Sequence, residues 1–305
     1  MSFLTSIAVL TAIYLVVGRL ERLPTLQFRE LSRPRRFFAT DLAWYGVAIL
    51  ATALSVFVLR PVLSRLSFGP VRDAVGGLPF LAKLAIGVVV FDLVSFLVHR
   101  CLHRYDRLWS LHKVHHSTLE LDGFATTRTH MVENMVRFVP SQAVLFVIGM
   151  PVAVVATAVA IAAIYGVSNH SNLGLNLRWI EPVFVTPRLH RRHHVPSTTM
   201  NNYGGIFTIW DRVAGTLVRT DTAPHERYGV PGEVDTYPQC FADAFRQPLR
   251  EHRAARPTRV PVDRAVSRSS QLSAWSTSAR PSHPGAGSPQ SAEPGPRPRG
   301  VGSTG

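Results

Sequence analysis

The chain has 305 residues, 46% of them hydrophobic and 17% charged, and a formal net charge of +14. The basic residues are nearly all arginine, and they lie in loops beside apolar segments and in the C-terminal part without interleaved aromatics, which excludes a nucleic-acid partner. Two cysteines, Cys101 and Cys240, are too few for a disulfide framework. Positive loops next to long apolar runs indicate a membrane protein.

Residues 1–77 contain two apolar stretches separated by a basic loop. Residues 3–17 predict a short retained membrane helix, because they lack the basic start and cleavage site of a signal peptide. Residues 41–59 predict a second span. The loop between them marks the cytoplasmic side of the membrane, since it holds Arg19, Arg22, Arg29, Arg33, Arg35 and Arg36.

Two further apolar regions follow. Residues 78–98 predict a third span, in which Lys83 can snorkel to the interface whereas Asp92 must face the protein interior. Residues 138–167 exceed the roughly 20 residues that one span needs, and Gly149-Met150-Pro151 interrupts them. We interpret this region as a helical hairpin that enters and leaves on the same side; the alternative is one long tilted helix with a proline kink.

Two stretches of histidine carry the chemistry. Residues 99–116 read H-x3-H and then H-x2-H-H, and residues 190–194 repeat H-x2-H-H. Residues three or four apart on a helix share one face, so each motif aims its imidazoles at one point. Eight imidazoles are too many for one ion, and the count predicts two adjacent metal ions.

The ligand type narrows the choice of metal ion. Imidazole suits iron, copper, zinc or nickel, whereas calcium and magnesium prefer oxygen. Structural zinc usually takes four ligands, often thiolates, so a set of histidines this large indicates redox chemistry. Cys101 lies two residues from both His99 and His103, which places it on another face of the helix, and we expect it to pack rather than to bind metal.

The membrane topology agrees with a shared site. If the arginine-rich loop is cytoplasmic, the third span ends in the cytoplasm at His99. A hairpin over 138–167 then returns the chain to the same side before the last motif. All the histidine motifs are therefore expected on the cytoplasmic face.

This order of motifs after membrane spans resembles the fatty acid hydroxylase superfamily of integral membrane di-iron enzymes, which includes sterol desaturases, sterol C4-methyl oxidases and carotenoid hydroxylases. The similarity covers roughly residues 80 to 220. Beyond the histidines it rests on Phe124–His130, Asn169–Asn172, Thr186–His194 and the run from Asn202 to Thr216.

The resemblance implies that the iron ligands are His99, His103, His112, His115, His116, His190, His193 and His194, with His170 as a ninth. His130 is expected to support the site without binding metal, because family members commonly have proline where this chain has Met131; coordination by His130 is the alternative. Asp92 and Glu133 can orient ligand imidazoles through hydrogen bonds. Their alternative role is a surface charge or an interhelical hydrogen bond.

The resemblance also implies an activity: hydroxylation of an unactivated C–H bond of a sterol, fatty acyl chain or related lipid, with O2 as co-substrate and two bound iron ions. A desaturase or ether-cleaving oxygenase on the same scaffold is one alternative, and a non-catalytic membrane metal-binding protein is another. No flavin, nicotinamide or haem motif is visible, so the electrons are expected from ferredoxin, rubredoxin or cytochrome b5. Exposed arginines near the histidines could dock such a carrier or contact lipid headgroups, namely Arg100, Arg104, Arg107, Arg188, Arg191 and Arg192.

The expected fold is all-α, an integral membrane helical bundle with a cytoplasmic helical cap that carries a histidine-rich dimetal site. We divide the chain into N-terminal transmembrane helices and basic loop (1–77), a membrane and catalytic domain (78–249) and a tail (250–305). The tail is rich in Arg, Ser, Pro and Gly, a composition that predicts disorder.

Overall fold

The computed structural model of the chain describes residues 3–32, 37–54, 69–197 and 200–254. This part is helical, with two isolated β-bridges and no strand, which confirms the all-α class for the described residues. The helices are α1 (Phe3–Leu20), α2 (Phe38–Leu54), α3 (Gly69–Gly76), α4 (Phe80–Arg104), α5 (Asp106–His116), a 3-10 helix (Gly123–Thr127), α6 (Met131–Val147), α7 (Val152–His170), α8 (Pro187–His194), α9 (Ile209–Ala214) and α10 (Phe241–Ala254).

Two of these helices are long and apolar enough to cross a membrane. They are α4, with 25 residues, and α7, with 19. Helices α1 and α2 begin close to the predicted spans but contain shorter apolar stretches, Ile7–Leu20 and Phe38–Ala51. The end of the second predicted span, residues 55–59, lies outside the described residues. Together α4 and α7 indicate a membrane protein.

The apolar region around Gly149-Met150-Pro151 forms two helices, α6 and α7, rather than one. Gly149 has φ +81°, a left-handed conformation that glycine adopts without steric penalty. The first turn of α6 contacts the histidines through Glu133, and α7 ends among them at His170. The two-helix interpretation is therefore confirmed and the single kinked helix is wrong, whereas entry and exit on the same side of a membrane stays a prediction.

Helix α4 packs against both helices of this hairpin. Gly87 permits a close approach, because a Cβ there would lie 3.1 Å from Val154 Cγ1. Phe91 of α4 is buried with Leu145 and Phe146 of α6 and with Val154 of α7. This apolar core packs the three helices together near the turn between α6 and α7, and their other ends reach the histidines.

The loop after α1 lies at the histidine-bearing end. Phe28 N–H donates to Asn172 O at 2.6 Å, and Gln27 and Leu173 form an antiparallel bridge. At the start of α2, Asp41 forms a buried ion pair with Arg128 at 2.9 Å. The described part of the arginine-rich loop and the histidines therefore share one end of the bundle.

Helix α10 covers part of the same end. Its Phe241 and Phe245 pack on Trp44 of α2, with ring centroids 4.7 and 6.0 Å apart. Its Glu251 pairs with the buried Lys113 of α5 at 3.1 Å. The helix runs to Ala254 and crosses the boundary predicted at residue 250; residues 255–305 of the predicted tail lie outside the described residues.

Candidate metal centre

Nine buried histidines converge in two groups, and the donor atoms within each group all lie within 4.8 Å of one another. Group one consists of His99, His103, His112, His116 and His193, and group two of His115, His170, His190 and His194. Helix α4 supplies two of the nine, α5 and α8 three each, and α7 one. Every residue that the sequence predicts as a metal ligand lies in one of the two groups.

The H-x2-H-H spacing explains how each of two helices serves both groups. On α5 the i, i+4 pair His112 and His116 enters group one, and His115 enters group two. On α8 the i, i+4 pair His190 and His194 belongs to group two, and His193 belongs to group one. Residues four apart share a helix face while the intervening one is rotated away, so each motif joins the two groups.

Five of the nine imidazoles have an acceptor at Nδ1. His112 Nδ1–H donates to Glu133 Oε1 at 2.6 Å. The other four donate to backbone carbonyls: His99 to Tyr203 at 2.8 Å, His115 to Arg128 at 3.3 Å, His170 to Gly166 at 2.8 Å and His193 to Asn201 at 2.6 Å. A proton held on Nδ1 leaves the lone pair of Nε2 available for a metal.

These lone pairs face one another across short distances. His99 Nε2 lies 3.1 Å from His112 Nε2 in group one, and His170 Nε2 lies 3.0 Å from His115 Nε2 in group two. All four rings hold their proton at Nδ1, so neither contact has a proton to share. Two nitrogens bound at about 2.0–2.1 Å to one ion lie about 3 Å apart when at right angles. The donor set therefore fits one metal ion in each group.

Burial keeps the imidazoles neutral. It lowers the pKa of His112, His115 and His116 well below the ordinary value of 6.5, and neighbouring histidines lower it further. For His193 burial lowers the pKa to about 4, although the hydrogen bond to Asn201 opposes the shift. Neither ring nitrogen of His116 meets a hydrogen-bond partner among the described residues. Neutral, buried imidazoles of this kind are suited to bind metal.

Glu133 takes the place that the sequence prediction gives it, beside a candidate ligand. Its side chain is fully buried between His112 and Arg137, whose guanidinium lies 3.8 Å away. Burial raises the pKa of the Glu133 carboxyl to about 8, and the positive charge of Arg137 acts in the opposite direction. A divalent cation at the imidazoles would further favour the carboxylate, which then holds the Nδ1 proton of His112.

Asp92 is buried as predicted, but its hydrogen bonds do not go to an imidazole. Its two oxygens accept hydrogen bonds from Ile206 N, Phe207 N and Trp210 Nε1 at 2.8–2.9 Å. The expectation that Asp92 orients a ligand imidazole directly is therefore corrected. The chain folds a loop onto α4 at this point, and the carboxylate satisfies the donors of that loop.

His130 lies outside both groups. Its Nδ1 accepts the N–H of Val132 at 3.2 Å and caps the N-terminus of α6. The ring packs on Phe245, with centroids 4.7 Å apart. Coordination by His130 finds no support in this geometry, whereas its capping of α6 places Glu133 in the first turn. Cys101 lies outside both groups, but its side chain is exposed and does not take the packing role that the sequence predicts.

Two arginines that the sequence offers for a docking surface serve the fold instead. Arg191 is buried; its guanidinium stacks on Phe28 at 4.1 Å and donates to Ser171 O and Leu173 O. Arg188 pairs with Glu181 and Asp221. Among the other arginines named for docking, Arg104 and Arg107 are exposed, whereas Arg100 and Arg192 are half-buried.

Sequence reasoning missed the backbone groups that hold the imidazoles. The carbonyls of Asn201 and Tyr203 lie in a segment singled out only by resemblance, and a carbonyl carries no sequence signal of its own. It also missed Glu21, whose buried carboxylate accepts hydrogen bonds from Gly123 N and Asn172 N. An acidic residue at the end of an apolar helix was the available signal.

Comparisons with known proteins agree with this site. Residues 84–216 match the family described as fatty acid hydroxylase. Ornithine lipid hydroxylase OlsE of Rhizobium tropici is 30% identical over 158 residues, 51% of this chain and 48% of that protein. Lathosterol oxidase of Homo sapiens is 24% identical over 199 residues, which are 64% of this chain and 63% of that protein. Alkylglycerol monooxygenase of Xenopus tropicalis is 30% identical over 151 residues, which are 48% of this chain and 32% of that protein.

The chain thus spans less than two thirds of each of these relatives. No solved structure matches it. The matched residues 84–216 contain all nine histidines of both groups. Residues 84–216 therefore belong to the fatty acid hydroxylase family, and they carry the whole candidate metal centre.

Proposed function

We propose that this protein is a membrane-bound di-iron oxygenase that hydroxylates an unactivated C–H bond of a lipid, with O2 as co-substrate and two electrons from an external carrier. The observation that carries the proposal is the pair of imidazole groups, each with its donor atoms within 4.8 Å. All nine histidines would serve as ligands, five for one iron and four for the other.

Two ferrous ions bound there would supply the reduction of O2 and the removal of a hydrogen atom from the substrate. The protein's own residues have simpler tasks. Glu133 and the four backbone carbonyls hold protons at Nδ1 and keep the Nε2 lone pairs directed inward. Burial of every imidazole excludes bulk water from the site.

The substrate is proposed to be a lipid that enters from the membrane. The relatives named above carry an ornithine lipid, lathosterol and an alkylglycerol in their names. Helices α4 and α7 bring apolar surface up to His99, His103 and His170, so a hydrocarbon chain lying along them would place its carbons beside the histidines. A desaturase or an ether-cleaving oxygenase on the same scaffold remains the second candidate, since both act on similarly apolar substrates.

The main test is purification of the full chain with iron and incubation with O2, a reduced carrier and each of the three lipid classes. We expect about two iron ions per chain, O2 consumption that depends on lipid, and an alcohol product that carries one oxygen atom from 18O2. An alkene or an aldehyde would identify the second candidate. Intact protein that holds no iron would contradict the proposal.

The histidine groups are proposed to lie on the cytoplasmic side, because the described part of the arginine-rich loop is at their end of the bundle. The exposed Cys240 reports on this end, since the adjacent Gln239 donates to Ser117 O at 2.9 Å. In a Cys101→Ser variant, a membrane-impermeant maleimide is expected to label inverted vesicles and not intact cells. Labelling of intact cells would contradict this orientation; the control combines Cys240→Ser with Cys101→Ser, so that neither exposed thiol is present.

A further inference from the structure

The loop after α8 supports two imidazoles of group one. Asn201 O accepts His193 Nδ1–H at 2.6 Å, and Tyr203 O accepts His99 Nδ1–H at 2.8 Å. Between them Asn202 has φ +54°, a left-handed conformation that asparagine tolerates better than most residues. Its side-chain amide donates to Leu189 O at 3.0 Å and ties the loop to α8. A single short segment thus sets two rings that come from different helices.

Asp92 fastens this loop to α4. Its Oδ1 accepts from Ile206 N at 2.8 Å, and its Oδ2 accepts from Phe207 N at 2.9 Å and from Trp210 Nε1 at 2.8 Å. The approach is so close that a Cβ on Gly205 would lie 2.9 Å from Asp92 Oδ1. The carboxylate lies on the same helix as His99, so it fixes the loop relative to that ring.

Asp211 closes the loop from its other side. Its carboxylate accepts from Tyr203 N at 2.9 Å, from Gly204 N at 2.7 Å and from Thr216 Oγ1 at 2.6 Å. The residue whose carbonyl holds His99 is therefore itself held through its N–H. Like Asp92, Asp211 is buried.

A different buried carboxylate, that of Glu21, supports the chain next to group two. Glu21 Oε2 accepts from Gly123 N at 2.9 Å and from Asn172 N at 3.0 Å. Asn172 follows His170 by two residues, and its side-chain amide donates to Arg29 O at 2.7 Å. These contacts fix the chain where it leaves α7, next to a candidate ligand of group two.

We propose that Asp92 and Asp211 are positioning residues for group one and that Glu21 is the positioning residue for group two. Each half of the dimetal site is then held by its own buried carboxylates, which act through backbone segments and not on the metal. The inference rests on the proposed function only in requiring metal ions at these histidines. Removing a carboxylate leaves backbone N–H donors unsatisfied; the segment shifts, and the imidazole loses the acceptor that fixes its tautomer.

The test measures Co(II) binding to the full-length apoprotein in detergent, with the visible absorption of bound Co(II) as the readout. A His115→Ala background removes a ligand of group two, and a His99→Ala background removes one of group one. In the first background Asp92→Asn is expected to weaken Co(II) binding about 10- to 100-fold, the range for groups that orient ligands, whereas Glu21→Gln changes it less than about twofold. In the His99→Ala background the reverse is expected: Glu21→Gln weakens Co(II) binding about 10- to 100-fold and Asp92→Asn changes it less than about twofold.

Two milder substitutions test the same contacts in case the carboxylate variants do not fold. Trp210→Phe removes one of the three donors to Asp92, and Thr216→Val removes one donor to Asp211. Both are expected to weaken binding in the His115→Ala background several-fold and to shift the Co(II) absorption bands, with helical circular dichroism unchanged. Asp211→Asn is expected to match Asp92→Asn.

The outcomes separate this inference from the proposed function. Wild-type protein that binds two Co(II) ions, with carboxylate variants that weaken both groups equally or neither, would overturn the inference alone. Wild-type protein that is folded and binds no Co(II) or iron would overturn both. Group-selective weakening in the two backgrounds supports the assignment even if no lipid is turned over.

Discussion

Group one and group two have similar ligands but different kinds of support. In group two, His170 Nδ1–H donates to Gly166 O, one turn earlier on its own helix, at 2.8 Å. In group one, His99 Nδ1–H donates to Tyr203 O, which is 104 residues away in the chain, and His112 uses Glu133 on another helix. Group two is therefore partly pre-organised by local structure, whereas His99 and His112 of group one find their acceptors only when distant segments pack. The following experiments test this difference, from the largest expected effect to the smallest.

Removal of a ligand from either group is expected to abolish activity. His99→Ala and His115→Ala should each lower iron from about two to about one per chain and leave no measurable oxidation of lipid, because both ions are needed. Iron analysis with mass spectrometry of products checks this. His225→Ala, an exposed histidine outside both groups, is the control. Full activity of either ligand variant would contradict its assignment.

Acid is expected to empty both groups together. The pKa of His112, His116 and His194 lies well below 6.5 because of burial, so the folded chain binds fewer protons there than the unfolded chain. Stability is therefore fully present above about pH 6.5 and falls as the pH drops, down to about pH 4 for His193.

Protons also compete with metal for the same nitrogens, so iron loss should follow the same window. The measurements are the temperature midpoint of thermal unfolding and the amount of bound iron, both between pH 7.5 and pH 4. A midpoint that rises on acidification would contradict neutral, buried imidazoles.

Glu133→Gln is expected to affect group one more than group two. The amide keeps the size of the side chain but weakens its acceptor for His112 Nδ1–H, which is 2.6 Å away. Loss of such an orienting carboxylate typically costs 10- to 100-fold in metal affinity or activity. Metal titrations in the His115→Ala and His99→Ala backgrounds separate the groups, and an equal effect in both would contradict the comparison.

Arg191→Lys is expected to have the smallest effect and to act on group two. Lysine cannot stack on Phe28 and donate to both Ser171 O and Leu173 O, as the buried guanidinium does. The expected loss is about 1.5–3 kcal/mol of unfolding free energy, the range for hydrogen bonds that involve charged groups.

Arg192→Lys is the matched control, because Arg192 is 26% exposed and only 3.9 Å from Glu226. Thermal unfolding of both variants measures the difference. A loss as large for Arg192→Lys would show that the contacts of Arg191 have no special weight.

The sequence by itself determined the helical class, the helix break at Gly149-Met150-Pro151 and eight of the nine converging histidines; His170 was expected only from the family resemblance. Each has a local physical cause: long apolar runs form helices, glycine and proline interrupt them, and i, i+4 spacing puts imidazoles on one face. The burial of Asp92 also followed from a charge inside an apolar helix.

Only the tertiary structure decided which histidines share a group and what holds them. His115 and His116 are neighbours in the chain yet enter different groups, because adjacent helical residues point about 100° apart and each meets a different partner helix. The carbonyls of Asn201 and Tyr203, the loop contacts of Asp92 and the role of Glu21 depend on backbone atoms brought together by packing. Every residue has those atoms, so no residue type announces them.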